Sequence, residues 1–170
     1  MNPFQKLRLM VARGIVNLVN DAGGLQTLQV TALEDEHRDE VERVQNFGAS
    51  SHPPAGSVPV LVAVGGSRDH LVAVAVDHEQ SRPKNLKAGE SAAYNAHGVL
   101  FLFDEQGNAT LSCKRFIVNA SEGVAVTTPT AAVQGELLQA GGRLVSNGID
   151  FGDHRHSGVS HGGENTGGPL

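Results

Sequence analysis

Apolar and polar positions alternate in short runs through the first part of the chain, and clusters of Gly, Asn, Asp, Ser and Pro separate the runs. Side chains two apart on a strand share a face, so this texture predicts short β-strands joined by tight turns. Ile15–Asn20 and Leu25–Thr31 flank Asn20-Asp-Ala-Gly-Gly24, whose residues accept positive φ, which predicts a hairpin. Glu34–Glu40 reads as a solvated acidic loop, Val41–Phe47 as a strand and Ser51–Gly56 as a hard turn. Val58–Val64 and Leu71–Val76 are apolar strands joined by Gly65-Gly-Ser-Arg-Asp-His70. That glycine pair lacks the lysine and the following helix of a phosphate loop, so it reads as a hairpin turn. Five short strands in this order predict a small closed Greek-key barrel of the OB type over residues 14–97. Ahead of it, Phe4, Leu7, Val11, Ile15 and Leu18 stand at steps of three and four, which predicts an amphipathic helix after Pro3 and assigns residues 1–13 as a helical segment.

Beyond the barrel, Tyr94, Val99–Phe103 and Ala109–Cys113 predict another hairpin around Asp104-Glu-Gln-Gly-Asn108. Then the texture changes. From Arg115 to Phe151 the chain reads as very short strands, at Phe116–Val118, Val124–Val126, Leu137–Leu138 and Leu144–Val145, punctuated by Gly and Pro. Lysine is absent after Lys114, and ten of the 21 glycines fall in residues 135–170. Such a segment cannot bury a core of its own. It is either disordered or covered by copies of itself, and the recurrence of paired apolar residues favours the copies, as in β-helical repeats whose units need neighbours.

Composition narrows the partners. Aromatic residues make up only 4% of the 170, with no Trp, so any core rests on Val, Leu and Ala. The net charge is -5, and no two basic residues adjoin except Lys114-Arg115, which argues against a nucleic-acid surface. Cys113 is the only cysteine, which excludes a disulfide framework and a thiolate metal cluster, and it reads as a small core hydrophobe. Arg8 and Arg13 interrupt the apolar N-terminal run, so no targeting peptide is expected and the chain reads as soluble and non-secreted.

Candidate chemistry concentrates at the C-terminus. In extended chain His154 and His156 point to one face and Arg155 to the other, so two imidazoles converge. Two ligands are too few for zinc, which takes four, or for octahedral ions, which take six, and three copies on a threefold axis would bring six nitrogens to one ion. The spacing alone leaves a Gly- and His-bearing disordered tail as the alternative. Gly158-Val-Ser-His-Gly162 matches a nucleophile elbow, which would make Ser160 catalytic, but that elbow needs a strand before it, a helix after it and acid and histidine downstream. A metal hydrolase would need a third protein ligand and a general base in a pocket. No enzyme is expected.

Several pieces taken together resemble a known family: Ala12-Arg-Gly-Ile15, Leu25-Gln-Thr-Leu-Gln-Val30, Phe47-Gly48 with Pro54-Ala-Gly56, Gly65-Gly-Ser-Arg-Asp-His70, Arg82-Pro83 with Leu86 and Gly89-Glu90, and His154-Arg-His-Ser-Gly-Val159 with Thr166-Gly-Gly-Pro169. They are similar to the baseplate assembly protein V family of contractile phage tails, and within it to the Mu-like spike proteins. The resemblance implies an all-β homotrimer: an OB-fold barrel seated on the baseplate hub protein, an intertwined triple-stranded β-helix over 98–150, and a pointed apex over 151–170. It further implies one iron ion per trimer, held by His154 and His156 of each chain. Other octahedral transition metals suit six such nitrogens as well. The implied role is structural, a tail-tip spike of the virion, assembled in the host cytoplasm, that makes transient contact with the host outer membrane and pierces it. The competing expectation is an OB-fold module that binds single-stranded nucleic acid or oligosaccharide, for which only Tyr94 and Phe47 are candidate stacking residues.

Overall fold

The computed structural model describes residues 10–33 and 36–152. They are all-β, with no α-helix among them, and fall into two compact units, one up to Val118 and one from Asn119.

In the first unit, β1 (Val11–Arg13), β2 (Ile15–Asn20), β3 (Thr27–Thr31), β4 (His37–Arg43), β5 (Val58–Ala63) and β6 (Leu71–Asp77) form a six-stranded sheet in the order β1-β5-β6-β4-β3-β2. The two ends of that order are one stretch of chain, since only Gly14 separates β1 from β2. The sheet therefore closes on itself. Val11 pairs with Val62 on one side while Val16 pairs with Val30 on the other. Backbone bonds from Gly14 N to Pro59 O (3.3 Å) and from Val16 N to Ser57 O (2.8 Å) complete the seam. β4 and β6 run parallel at Glu42↔Val72 and Arg43↔Ala73, and the other pairs of this sheet are antiparallel.

The core inside this closed sheet is small, as the composition requires. It consists of Ala12, Val16, Leu28, Val30, Val41, Leu61, Ala63, Leu71 and Ala73, one or two per strand, with Val19, Ala32 and Val76 packed against it. The period-two alternation is clearest on β5, where Pro59, Leu61 and Ala63 face in and Val58, Val60 and Val62 face out. Two polar side chains are buried with their groups satisfied. The Gln26 amide donates to Asp21 Oδ1 and to Ser51 O, both at 3.0 Å, and accepts from Arg43 Nη1 at 2.7 Å. The Ser57 hydroxyl donates to Pro54 O at 2.6 Å.

Two expectations are corrected here. Val11–Arg13 is strand, not helix, and Ala12 and Val16 are the buried positions, while Val11, Ile15 and Leu18 are exposed. Val11–Arg13 pairs with the outer edge of β5, which a helix at these residues would leave open. The rest of the expected helical segment, residues 1–9, lies outside the described residues. The acidic stretch is likewise part strand: β4 starts at His37, and a register shift opposite Leu28–Val30, with Glu40 at φ 55, lets the charged residues Asp39 and Glu40 pass along the strand as a bulge.

β7 (Ser91–Tyr94), β8 (Leu100–Phe103) and β9 (Ala109–Ser112) form a separate antiparallel sheet in the order β7-β8-β9. The β8–β9 turn is organised by Asp104, whose carboxylate accepts from the backbone N–H groups of Gln106 and Asn108, both at 2.9 Å. In the second unit, β10 (Val145–Ser146) and β11 (Ile149–Asp150) make a two-residue hairpin. Its loop is Asn147 at φ 49 and Gly148 at φ 78, the pair of left-handed residues that matches the twist of the flanking strands.

Barrel closure depends on Gly14. A Cβ there would lie 2.8 Å from Thr31 O and 3.3 Å from Leu61 Cδ1, so the seam strand can approach β3 and the core only without a side chain. Gly14→Ala is expected to destabilise the barrel by about 1–3 kcal/mol, the usual cost of overpacking. Gly24→Ala, where nothing lies within 4 Å, is the control and should leave the urea midpoint nearly unchanged. Equal midpoints for the two variants would show that the seam tolerates a side chain.

Candidate functional site

The segment that follows β9 differs from everything before it. From Cys113 to Leu144 no residue lies in a helix or strand, and every residue from Cys113 to Ile149 is exposed. The exposed residues include the bulk of the apolar content of this half, with Phe116 at 69%, Val126 at 74% and Leu138 at 79% of their surfaces open. Among the described residues, no backbone-to-backbone hydrogen bond joins positions within 114–143. The short strands expected at Phe116–Val118, Val124–Val126 and Leu137–Leu138 are absent from the single chain for the same reason: a strand is defined by its partner, and one chain offers them none. Exposed apolar side chains on an unpaired backbone form a surface that calls for a partner, not a pocket that calls for a ligand.

Order returns at the hairpin. Phe151 N donates to Leu144 O at 2.9 Å, and Arg143 Nε meets Asp150 Oδ2 at 2.5 Å. The bond from Arg143, together with that from the Gly152 N–H, holds the Asp150 carboxyl below its ordinary range. The Asn-Gly dipeptide at 147–148 was the sequence signal for this hairpin, and the expectation of a strand at Leu144–Val145 falls one residue short of it.

Charged groups gather at one end of the barrel. The Glu36 carboxylate accepts from Arg38 at 2.6 Å and from Arg68, tying the β3–β4 turn to the β5–β6 turn, and Asp69 lies 3.5 Å from Arg38. Hydrogen bonding to Arg68, and less so to Arg38, lowers the Glu36 pKa against the opposing effect of burial. Arg43 grips Ser51 O at 2.6 Å and Ser51 Oγ at 2.8 Å, and burial lowers its own pKa.

Comparison with known proteins decides the family. A model described as Bacteriophage Mu Gp45, N-terminal, matches residues 13–80, which include β2 to β6 of the closed sheet. The baseplate puncturing device gp45 of Escherichia phage Mu is 38% identical over 134 residues, covering 79% of this chain and 68% of that protein. The Mu-like prophage FluMu protein gp45 of Haemophilus influenzae is 38% identical over 160 residues, covering 91% of this chain and 84% of that protein. The chain belongs to the Mu gp45 family. The Mu-like resemblance carried by the quoted motifs is thus confirmed, from the barrel into the C-terminal half.

The residues singled out in this gp45-family chain fall as follows. His154 and His156 lie outside the described residues, as do His161 and Ser160. Cys113 is exposed, not a core residue. It follows β9, where the sheet has ended and no layer covers it. The two stacking candidates are placed apart from each other. Tyr94 lines a groove of about 580 Å³ together with His52, Pro53, Pro54, His78 and Ser81, and its hydroxyl is held above its ordinary pKa first by burial and then by Asp77. Phe47, fully exposed in the turn that Ala49 N closes on Asn46 O, is not among the lining residues. His78 Nδ1 and Ser81 Oγ are 2.6 Å apart, but they close a local turn in which Ser81 N and Arg82 N both donate to His78 O.

A carboxyl whose folded pKa is depressed stabilises the fold above its unfolded pKa and loses that contribution as pH falls through the folded value. Glu36 is such a group. The barrel's urea midpoint is therefore expected to fall as the pH is lowered through and below the ordinary glutamate range. In Glu36→Gln the midpoint should be lower at neutral pH and flatter over the same interval. Parallel profiles for the two proteins would remove Glu36 from the acid response.

Proposed function

We propose that this chain is a structural virion protein: the trimeric spike at the tip of a contractile tail baseplate, which pierces the host outer membrane. The observation that carries the proposal is the exposed, unpaired stretch from Cys113 to Leu144, found in a chain whose relatives include one named a baseplate puncturing device. Three copies interwound along this stretch would pair the backbone and bury Phe116, Val126 and Leu138 against one another, forming a triple-stranded β-helix. Interwound chains cannot open one contact at a time, so the rod would be kinetically stable and stiff under load, which a device pushed through a membrane needs.

The strand order β1-β5-β6-β4-β3-β2, closed through Gly14 and with β4 parallel to β6, supports an OB-type barrel for the N-terminal part. This barrel seats the spike on the baseplate hub protein, with the rod pointing away from the tail. The function is mechanical, and no residue is assigned a catalytic role. Assembly takes place in the host cytoplasm, and the finished protein resides in the virion.

At the apex, His154 and His156 of each chain hold one iron ion per trimer. The donor set fits the ion: six neutral imidazole nitrogens suit octahedral iron, cobalt or nickel better than zinc, and iron among these is what the resemblance to the spike family implies. The ion ties three chain ends to one point just beyond the Arg143–Asp150 hairpin, where the sequence is too rich in glycine to pack by itself.

Metal analysis of the purified chain, made with iron supplied, tests the apex. One ion per three chains is expected. His154→Ala with His156→Ala should remove the metal and leave the trimer mass unchanged, because the rod is held by its own packing. Each imidazole binds only when neutral, so metal should be released as the pH drops below the reference His pKa of about 6.5. Stoichiometric metal in the double variant, or none in the parent, would refute the assignment.

A further inference from the structure

The outer surface of the barrel is not uniform. On β3 the outward residues are Thr27, Gln29 and Thr31, as a strand facing water requires, but on β5 they are Val58, Val60 and Val62. Cross-strand pairing extends this apolar face. Val11, Val62 and Val72 stand in one row across β1, β5 and β6, and Arg13, Val60 and Ala75 stand in the next. Val11 has 61% of its surface open, and Val72 and the three outward valines of β5 are half-buried. A groove of about 280 Å³ runs along the face, lined in part by Arg13, Val58, Val60, Ala75, Asp77 and Glu79. A strand that is apolar on both sides is the pattern of a strand covered on both sides, and the barrel interior covers only one.

Chain reach and charge say what covers the other. Met10 O accepts from Ala63 N at 2.8 Å, so residues 1–9 enter β1 beside the row of Val11, Val62 and Val72. β6 lies two inter-strand spacings from β1, about 10 Å, and the six residue steps from Phe4 to Met10 span up to about 20 Å. Residues 1–9 bring Phe4, Leu7 and Leu9, with Lys6 and Arg8 as cations and no acid. The face is acidic at its margins, since the exposed Glu42 continues the valine row on β4, and Asp77 and Glu79 line the groove. We propose that residues 1–9 fold back over the outer face of β1, β5 and β6, setting Phe4 and Leu7 against the valines and Lys6 and Arg8 towards the acidic margin. A second copy of the chain offers a poorer cover, because its equivalent face brings the same acidic margin. The cover is made within one chain, so it stands apart from the trimeric reading above. It gives the barrel a second layer on the one side where the closed sheet turns valine outward.

Thiol accessibility on the full chain tests this. In a Cys113→Ser background, Val62→Cys places a probe under the proposed cover, Val60→Cys places a second in the next row, and Gln29→Cys is the control on the outward side of β3. Each is made in the parent and together with Phe4→Asp and Leu7→Asp, which remove the apolar anchors and leave the barrel sequence untouched. A water-soluble maleimide gives the labelling rates. The thiols at 62 and 60 are expected to label at least about tenfold faster in the doubly substituted chain, while the thiol at 29 keeps its rate. Lys6→Glu with Arg8→Glu keeps the apolar anchors and should raise the rates at 62 and 60 by a smaller factor. Should the apolar substitutions also raise the rate at 29, the charge-reversed chain decides, and no change at 62 there overturns the proposal. Labelling at 62 and 60 as fast as at 29 in the parent would show an open face, and slow labelling that neither pair of substitutions changes would show that another copy covers it. Either result overturns the proposal.

Discussion

The rest of this molecule depends on one constraint: apolar side chains stabilise a fold only when they are covered, and between Cys113 and Leu144 the chain covers none of its own. The peptide groups of these exposed residues can bond to water, but an exposed leucine forgoes its hydrophobic gain. The barrel shows the opposite solution. Its strands satisfy one another around a closed sheet, its buried Gln26 and Ser57 are bonded, and among the described residues a small apolar core suffices because closure leaves no edges. One chain therefore joins a part that is complete in itself to a part that is not, and that contrast is the physical basis for reading the second part as an assembly element.

Closure is bought with small residues. Gly14 lets β1 and β2 act as one bent strand, and Ala12, Ala63 and Ala73 keep the interior narrow. The charged network of Glu36, Arg38 and Arg68 then ties two turns together at one end, where apolar packing has run out. The same economy appears at the β10–β11 hairpin, where two residues of positive φ and one Arg–Asp contact order a stretch with no buried residue among those described. In each place local geometry does what bulky side chains do elsewhere.

Much of the first unit was legible in the sequence because its strands alternate cleanly: β2, β3, β5 and β6 of the barrel and β8 and β9 of the separate sheet fall where the apolar pattern put them. β1 was not, because Val11, Ile15 and Leu18 satisfy a helical spacing as well as a strand spacing, and the residues that are actually buried, Ala12 and Val16, are too small or too few to announce the period. The N-terminal half of β4 was hidden by its charges, since a bulge lets Asp39 and Glu40 ride on a strand that composition marks as loop. The family could be read from motif order across the chain, and the comparisons bear it out. What gives the C-terminal half its shape was not legible to the same depth, because from Cys113 to Ile149 every residue is exposed, so no alternation of buried and exposed positions exists in one copy to match the apolar pattern.

Sedimentation equilibrium at micromolar concentration tests the central reading most directly. A trimer predicts a mass three times the 17.8 kDa of one chain, unchanged on dilution. A single-chain mass, with the barrel still folded by its urea transition, would contradict it, because the stretch from Cys113 to Leu144 would then persist in solution with no partner.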